Sequence, residues 1–565
     1  MKKFTLLLMA VLAFVAPVKA QDAQNSVLTY QWAHTLEGAA NASNNVLEAK
    51  KAADGSYLVA NKVGTKTGVL TAKFDGAVIE GFEGGTYGTS GAGNLYLQKV
   101  KADGTVAWAV RSAKADVSTA SIAPTSDGGA VLVIKSRVEN LDGEVAKVLT
   151  LIDAAGNTVE VSDAETIVKT YYVTIAKVDK DGKLEWARLV SGVKANKAAD
   201  VLTVAGCAVD ADDNIYVAGK LAGTANFQNA EKVAVGVTSQ NTTGDLVIVK
   251  FDKDGYLLSS LLPTNATSAS SQVDAIALNG GTLYLAGQVK GNGLQLDGKD
   301  VTGHAKLSAL FLASINMADL SVNYVKAFTP ELNANADEAK KTFVIQNKAL
   351  NYVSGNLYLT GSLNGGLTAD DITVNTNSTF LKGCVVKAQA TDGKLLAVGI
   401  NDQNAAGITG HFGVYEGANT VYTLGYDLKA TSSAILFTYD KNTLSKQAEI
   451  KFSNISNGAV CAPMLVDGNK LLLMTRGKAG KGLTFEGTSA TMEGFSDWGV
   501  LYCLYSISDV PTGIKNISSV GNASDRVNVY TVSGVCVKQN VSVSEAIQGL
   551  AKGVYVVGGK KVIVK

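Results

Sequence analysis

One pattern recurs along this chain and narrows the folds open to it. A small or turn residue precedes a short apolar strand that usually carries an aromatic and often ends in glycine. It reads Asp54-Gly-Ser-Tyr-Leu-Val-Ala, then Asp127-Gly-Gly-Ala-Val-Leu-Val and Asp213-Asn-Ile-Tyr-Val-Ala-Gly. It returns as Gly281-Thr-Leu-Tyr-Leu-Ala-Gly, Gly355-Asn-Leu-Tyr-Leu-Thr-Gly, Asn419-Thr-Val-Tyr-Thr-Leu-Gly and the degenerate Gly468-Asn-Lys-Leu-Leu-Leu-Met. Tyr57 and Leu472 occupy equivalent places in the first and last copies, which sets a repeat of about 69 residues. That exceeds the roughly 40–50 residues of common propeller repeats, so long connections between strands are expected.

A second motif follows each copy. Asn94 to Trp108 and Tyr172 to Trp186 repeat one another closely, and Asp245 to Leu258 is a third version. Weaker forms run over Leu310–Tyr324, Gly383–Ala397 and Ala434–Lys446. Each reads as strand, tight turn, strand, because β-formers flank an Asp-Gly or similar pair that suits positive φ. Four short strands cannot bury both faces of one sheet alone, so neighbouring copies must stack. Closing such sheets radially leaves only short, protected edges.

The ends of the repeat region support closure. The last copy stops near Trp498–Tyr505 without its turn and final strand, while Leu28-Thr-Tyr-Gln-Trp32-Ala-His-Thr near the start resembles the strands around Trp108 and Trp186. Residues 27–37 are therefore expected to complete the last sheet. The expected fold is all-β: a seven-bladed β-propeller closed by the N-terminal strand, followed by a small C-terminal β-sandwich-like domain. Copies one, six and seven depart furthest from the pattern, which leaves six or eight blades open.

Residues 1–20 read as a signal peptide, with Lys2 and Lys3, an apolar stretch from Phe4 to Val15, and small residues at Val18 and Ala20. Cleavage between Ala20 and Gln21 is expected. The formal charge of +1 loses Lys2, Lys3 and Lys19 with the leader and becomes −2. A near-neutral chain argues against nucleic acid as a partner, because phosphate binding needs concentrated Lys and Arg. No later run reaches the roughly 18 apolar residues of a membrane helix. Five widely spaced cysteines show no Cys-x-x-Cys spacing; Cys207, Cys384 and Cys503 lie in apolar strand-like runs and are expected to be buried.

The organisation expected is residues 1–20 leader, 21–508 propeller, 509–514 linker and 515–565 a C-terminal unit. The repeats resemble those of bacterial β-propeller repeat proteins, whose blades read Gly-Asn, Ile or Leu, Tyr, Val or Leu, any residue, Gly, followed by an Asp-Gly turn and a Trp strand. Asp213 to Leu257 matches best, and the resemblance covers about residues 27–508. The tail resembles the C-terminal sorting domain of Bacteroidetes proteins exported by type IX secretion, with Tyr530, Gly534, Leu550, Gly553, Tyr555 and Lys565 at the matching positions. That resemblance implies export followed by release or attachment at the outer-membrane surface, with the secretion machinery as partner; a periplasmic location and a tail that merely caps the propeller are the alternatives.

Chemistry is harder to find. The loops Asp179-Lys-Asp-Gly182, Asp252-Lys-Asp-Gly255 and Asp210-Ala-Asp-Asp-Asn214 lack the later oxygen ligands of a calcium loop and read as turns. Trp32, Trp108 and Trp186 share one repeat position, which suggests packing between blades; Trp498 lies outside that register. His34, His304 and His411 show no metal-ligand spacing. Gly88–Ala92 lacks the last glycine of a nucleophile elbow, and the stretch from Thr475 fails the phosphate-loop pattern. No catalytic, cofactor or metal residue is therefore assigned. The expected function is an exported binding module that presents loops to a glycan, peptide or protein. A polysaccharide hydrolase or lyase using paired carboxylates, and a structural cell-surface component, are the alternatives.

Overall fold

Each Asp-Gly turn bends a β-forming run back on itself, and four such runs in succession make one antiparallel meander. The computed structural model describes most of residues 28–564. Outside it lie residues 1–27, 508–525 and 565, with shorter stretches between strands such as 80–92, 138–146, 163–169, 332–342, 402–407, 428–432, 452–464 and 491–497. Among the described residues every regular element is a strand, and no helix is long and apolar enough to cross a membrane.

Seven four-stranded sheets follow one another along the described chain. Their inner strands are Asn45–Lys51, Asp116–Pro124, Leu202–Val209, Ser270–Asn279, Phe343–Val353, Ile408–Glu416 and Leu465–Asp467. Each inner strand packs against the next, and Leu465–Asp467 packs against Asn45–Lys51, so the sheets form a closed ring, a β-propeller. Closure comes from Leu28–Glu37, which pairs antiparallel with Trp498–Ile507 from Leu28↔Ile507 to Glu37↔Gly499. The N-terminal strand thus serves as outer strand of the last sheet.

The core lies between sheets. Second and third strands such as Tyr57–Gly64 and Gly93–Val100 are buried on both faces, the polar Asn61, Asn94 and Gln98 included. Leu58, Leu95 and Leu97 pack against Ile122, Leu132 and Ile134 of the second sheet, and similar clusters fill five of the other six seams. Cys207, Cys384 and Cys503 are buried outside any disulfide, and Cys536 is exposed.

The seams have a recurrent device. Outer strands carry a bulge directly after the turn, skipping Ala107, Glu185, Leu258, Asn323, Leu396 and Gln447 in the pairing. The bulge turns the following residue towards the next sheet, and it accounts for exposed Leu258 (54%) and Leu396 (37%). The following residue is Trp108, Trp186 or Tyr324 in three sheets, and Trp32 has the same role on the closing strand. Each aromatic lies over a glycine in the turn of the next sheet: Trp32 over Gly104, Trp108 over Gly182, Trp186 over Gly255 and Tyr324 over Gly393. Turn carbonyls of the next sheet then accept a donor. The Trp32 indole donates to Ala102 O at 3.1 Å and that of Trp108 to Lys180 O at 2.7 Å. Arg188 Nε donates to Asp254 O (2.7 Å), Lys250 Nζ to Met317 O and Ala318 O (2.9 and 2.7 Å), and Lys387 Nζ to Lys441 O (3.0 Å).

The repeat's extra length is mostly a hairpin inserted between second and third strands. The first sheet's hairpin, Lys73–Phe74 with Ala77–Val78, pairs with Leu28–Glu37 of the seventh. Lys147–Ile152 with Thr158–Ser162, from the second sheet, pairs with Val106–Ala113 of the first. Thr224–Gln228 with Ala234–Thr238 reaches back to Leu184–Lys194, and Gly366–Ala369 with Ile372–Asn375 to Val322–Glu331. Among the described residues, the fourth sheet's hairpin pairs with its predecessor through the bridge Thr264↔Gln295 alone.

The C-terminal unit is one four-stranded sheet among the described residues, ordered Cys536–Ser542, Arg526–Thr531, Gly553–Val557, Lys560–Val564. A turn segment lies against this sheet, its Ala546 packing on Val529 and Val557. The terminal hairpin pairs Gly553↔Val564 to Val557↔Lys560, and Gly558 and Gly559 between its strands lie outside the described residues. The linker expected at 509–514 lies outside the described residues.

Candidate functional site

Inner strands alternate between the seam and the ring's axis, so their residues decide what the centre can do. Near the ends where four of them pass into their first turns, a hollow of about 200 Å³ is lined by Lys50, Ala123, Pro124, Cys207, Ala208, Val209, Ile276, Ala277 and Leu278. Apart from Lys50 and the thiol, this wall is aliphatic.

Lys50 pairs with Glu48 two residues earlier, Nζ to Oε1 3.3 Å. The Glu48 carboxylate holds the Lys50 ammonium above its ordinary value, outweighing the opposing effect of burial. Glu48 Oε2 accepts from the Ser121 hydroxyl at 2.6 Å and the Ile122 amide at 2.8 Å, both on the second sheet's inner strand. The carboxylate is thus a tie between two sheets. Asp467 on the seventh inner strand has the same role: it accepts from Lys51 and from the Tyr57 hydroxyl (3.1 Å) of the first sheet. Glu416 on the sixth accepts from the Tyr358 hydroxyl of the fifth and pairs with Lys441 at 2.7 Å. Desolvation and the neighbouring carboxylates push the Tyr57 and Tyr358 hydroxyls well above their ordinary range, so both are donors at neutral pH.

The Asp-rich loops are turns. Asp179 Oδ1 accepts from the Asp181 and Lys183 amides, both at 2.9 Å, and Asp252 Oδ1 from those of Asp254 and Tyr256 at 3.0 and 2.8 Å. Asp210 accepts from the Asp212 and Asn214 amides and from the Tyr216 hydroxyl. Among the described residues no three His, Cys, Asp or Glu side chains gather as a metal site. His34 bridges two elements of the first sheet, Nδ1 to Asp75 Oδ2 and Nε2 to Gly104 O, both 2.6 Å. His304 Nδ1 accepts the Leu307 amide at 3.0 Å. His411 lies on Ile408–Glu416 and Trp498 opens Trp498–Ile507, but their side chains lie outside what is described. Thr475 belongs to the strand Lys470–Lys478, and Gly88–Ala92 lies outside the described residues.

Of the sorting-motif positions, the C-terminal sheet brings five together. Tyr530 pairs with Val556 and Cys536, and its hydroxyl accepts from Asn528 Nδ2 at 3.1 Å. Gly534 closes a turn at φ 86°, its amide donating to Thr531 O. Gly553 opens its strand, and Leu550 and Tyr555 pack on the small core, the Tyr555 hydroxyl donating to Ala551 O at 3.0 Å. Ala20, Gln21 and Lys565 lie outside the described residues.

The hollow itself was missed in sequence. Glu48 and Lys50, an acid and a base two apart on one strand, were its only chemical trace; the Ala and Val residues opposite resemble any other strand.

No protein-family model matches the chain, and no curated protein matches it. Among solved structures it is similar to the quinohemoprotein alcohol dehydrogenase of Comamonas testosteroni at 12% identity and TM-score 0.35, over 88% of this chain and 79% of that one. The quinohemoprotein alcohol dehydrogenase ADHIIG of Pseudomonas putida HK5 gives 11% identity and TM-score 0.35 over the same shares. The Dos1 propeller gives 11% identity and TM-score 0.35 over 85% of this chain and 96% of that one.

Proposed function

We propose that this chain is an exported, non-catalytic binding module: a seven-bladed β-propeller closed by its N-terminal strand, followed by a sorting unit over residues 515–565. The observation that carries the binding reading is the state of three of the five carboxylates on the described inner strands, Asp116 and Asp274 being the other two. Glu48, Glu416 and Asp467 each hold a hydroxyl, amide or ammonium of a neighbouring sheet, while the axial wall beside Lys50 is aliphatic. Glycoside chemistry needs two carboxyls facing one bond, and these three are turned to the ring's own seams. Loops on a rigid ring are suited to a glycan, peptide or protein ligand. Export rests on the leader ending at Ala20 and Gln21, and sorting on Tyr530, Gly534, Leu550, Gly553, Tyr555 and Lys565.

The test is a glycan-array, peptide-array and turnover screen on residues 21–508, with mass spectrometry of both termini of the protein recovered from culture supernatant. Retention of a ligand without product, a mature start at Gln21 and loss or modification of the tail are expected. Release of sugar from a polysaccharide overturns the binding reading, and an intact tail found only in the periplasm overturns the sorting one.

A further inference from the structure

The axial hollow has a size, a wall chemistry and one ionic group, and together these specify an occupant. We propose that it takes an aliphatic group the size of one amino-acid side chain joined to a carboxylate, the carboxylate lying on Lys50. This rests on the binding-module reading and names a ligand class for it.

Size comes first. A cavity of about 150 Å³ accommodates benzene, so the roughly 200 Å³ here suits a group of about eight non-hydrogen atoms. The wall comes second. Ala123, Pro124, Ala208, Val209, Ile276, Ala277 and Leu278 offer no side-chain hydrogen-bonding groups. A hexose there would lose hydration on several hydroxyls without replacement, which disfavours a sugar. A branched aliphatic group loses nothing. The head group comes third. Lys50 is the one charged residue of the lining, half-buried, with three N–H donors of which Glu48 takes one. Covering it with a purely apolar ligand would remove its remaining water without replacement; a carboxylate supplies a charge-assisted bond in its place. Glu48 does not repel such a ligand strongly, because the Ser121 hydroxyl, the Ile122 amide and Lys50 already face its two oxygens.

The same chemistry is carried by a free short-chain acid and by the last residue of a peptide that ends in an apolar side chain. Calorimetry and NMR titration of the mature chain with isocaproate, N-acetyl-leucine, N-acetyl-leucinamide and a peptide ending in Ala-Leu separate the two. Both acids, or the peptide alone, should bind, and the amide should bind about tenfold more weakly or worse, as loss of a hydrogen bond to a charged group implies. Lys50→Met should erase the preference for acid over amide. Leu278→Trp, at the exposed rim, should abolish binding of all four without unfolding the ring. Equal binding of acid and amide to the wild-type chain, or binding unaffected by Leu278→Trp, overturns the inference. Silence from every probe, in a chain that still captures a ligand on the arrays, overturns this site and leaves the module reading standing. Catalytic turnover overturns the module reading instead.

Discussion

Six turn residues take up a left-handed backbone at the same place in successive sheets, and the residue facing each one decides its identity. Gly104, Gly182, Gly255 and Gly393 have φ of 91°, 79°, 79° and 73°, while Leu320 and Leu444 hold 62° and 52°. The glycines sit under Trp32, Trp108, Trp186 and Tyr324, where an added Cβ would meet the ring at 2.6–2.8 Å. The leucines occur where the preceding outer strand offers Ser259 or Ala397, and both are buried. Bulk is thus supplied from one side of the seam or the other. Trp108→Ala should destabilise the protein by about 3–5 kcal/mol. Gly182→Leu should also destabilise it, through overlap with Trp108 and about 1–2 kcal/mol for a side chain in the left-handed region. Urea unfolding of the double variant should recover about 1–3 kcal/mol relative to the sum of the two. Simple additivity would remove the exchange argument. The same turns set the response to acid. Burial raises the Asp210 carboxyl, but hydrogen bonds from Asn214, Tyr216 and Asp212 outweigh it and hold the group below its ordinary value. Asp127 and Asp153 are lowered in the same manner. A lowered carboxyl contributes fully above its unfolded pKa and is lost as pH falls through the folded one. The urea midpoint should therefore be flat from about pH 5 to 8 and fall below about pH 4, with a smaller fall in Asp210→Asn.

At the scale of elements, the hairpins of the first, second, third and fifth sheets reach backwards and staple each of these to the sheet before. The second sheet's staple pairs Thr150↔Ala113 to Ile152↔Arg111, and the third's pairs Ser191↔Asn226 to Val193↔Thr224. The sixth sheet shows none among the described residues, and only residues 428–432 separate Thr420–Asp427 from Ser433–Asp440. Its seam with the fifth sheet relies on side-chain packing and on Lys387 reaching Lys441 O. Hydrogen exchange should therefore be faster across the outer strand Leu395–Ile400 than across Val106–Ala113, since staples add backbone bonds that must break before an edge opens. Equal protection would show that packing alone governs the seams. These staples were illegible in the sequence beyond the expectation of long connections. Lys73-Phe74 and Ala77-Val78 are two-residue strands whose partner lies in a different sheet, so no local periodicity marks them. The four-strand meanders were legible because Tyr57, Tyr216, Tyr284, Tyr358 and Tyr422 recur in one register. The Asp-Gly turns were legible as turns, but in those before the outer strands only the glycine takes positive φ, as beside Asp103 and Asp181, whereas both residues do in the inserted hairpins at Asp75-Gly76 and Asp297-Gly298. The hollow was illegible because its four walls come from four repeats.

At the scale of the whole molecule, the ring is closed by hydrogen bonds between the two ends of the repeat region. Leu28–Glu37 carries Trp32 and Leu36 into the seam between the seventh and first sheets, and His34 and the Thr35 amide hold the Asp75 turn of the first sheet's staple. Nothing in that pairing depends on where the chain's covalent start lies. A variant that begins at Asn45 and lacks the closing strand leaves the edge of Trp498–Ile507 unpaired and uncovers Leu472, Tyr502 and Leu504, each an apolar surface worth about 1.5–3 kcal/mol when buried. It should aggregate or expand. A circular permutant with the same start, but with residues 28–44 joined through a short flexible linker after residue 507, restores every one of those contacts in a different covalent order. It should be monomeric, match the parent in small-angle scattering, and unfold at nearly the same urea concentration, since lengthening a surface loop costs only about 0.6 kcal/mol per doubling. If the truncated chain is as compact and stable as the parent, the strand is an ornament of the ring. If the permutant fails while the truncation also fails, closure depends on the order in which the chain is made, and the N-terminal strand acts in folding as well as in the finished structure.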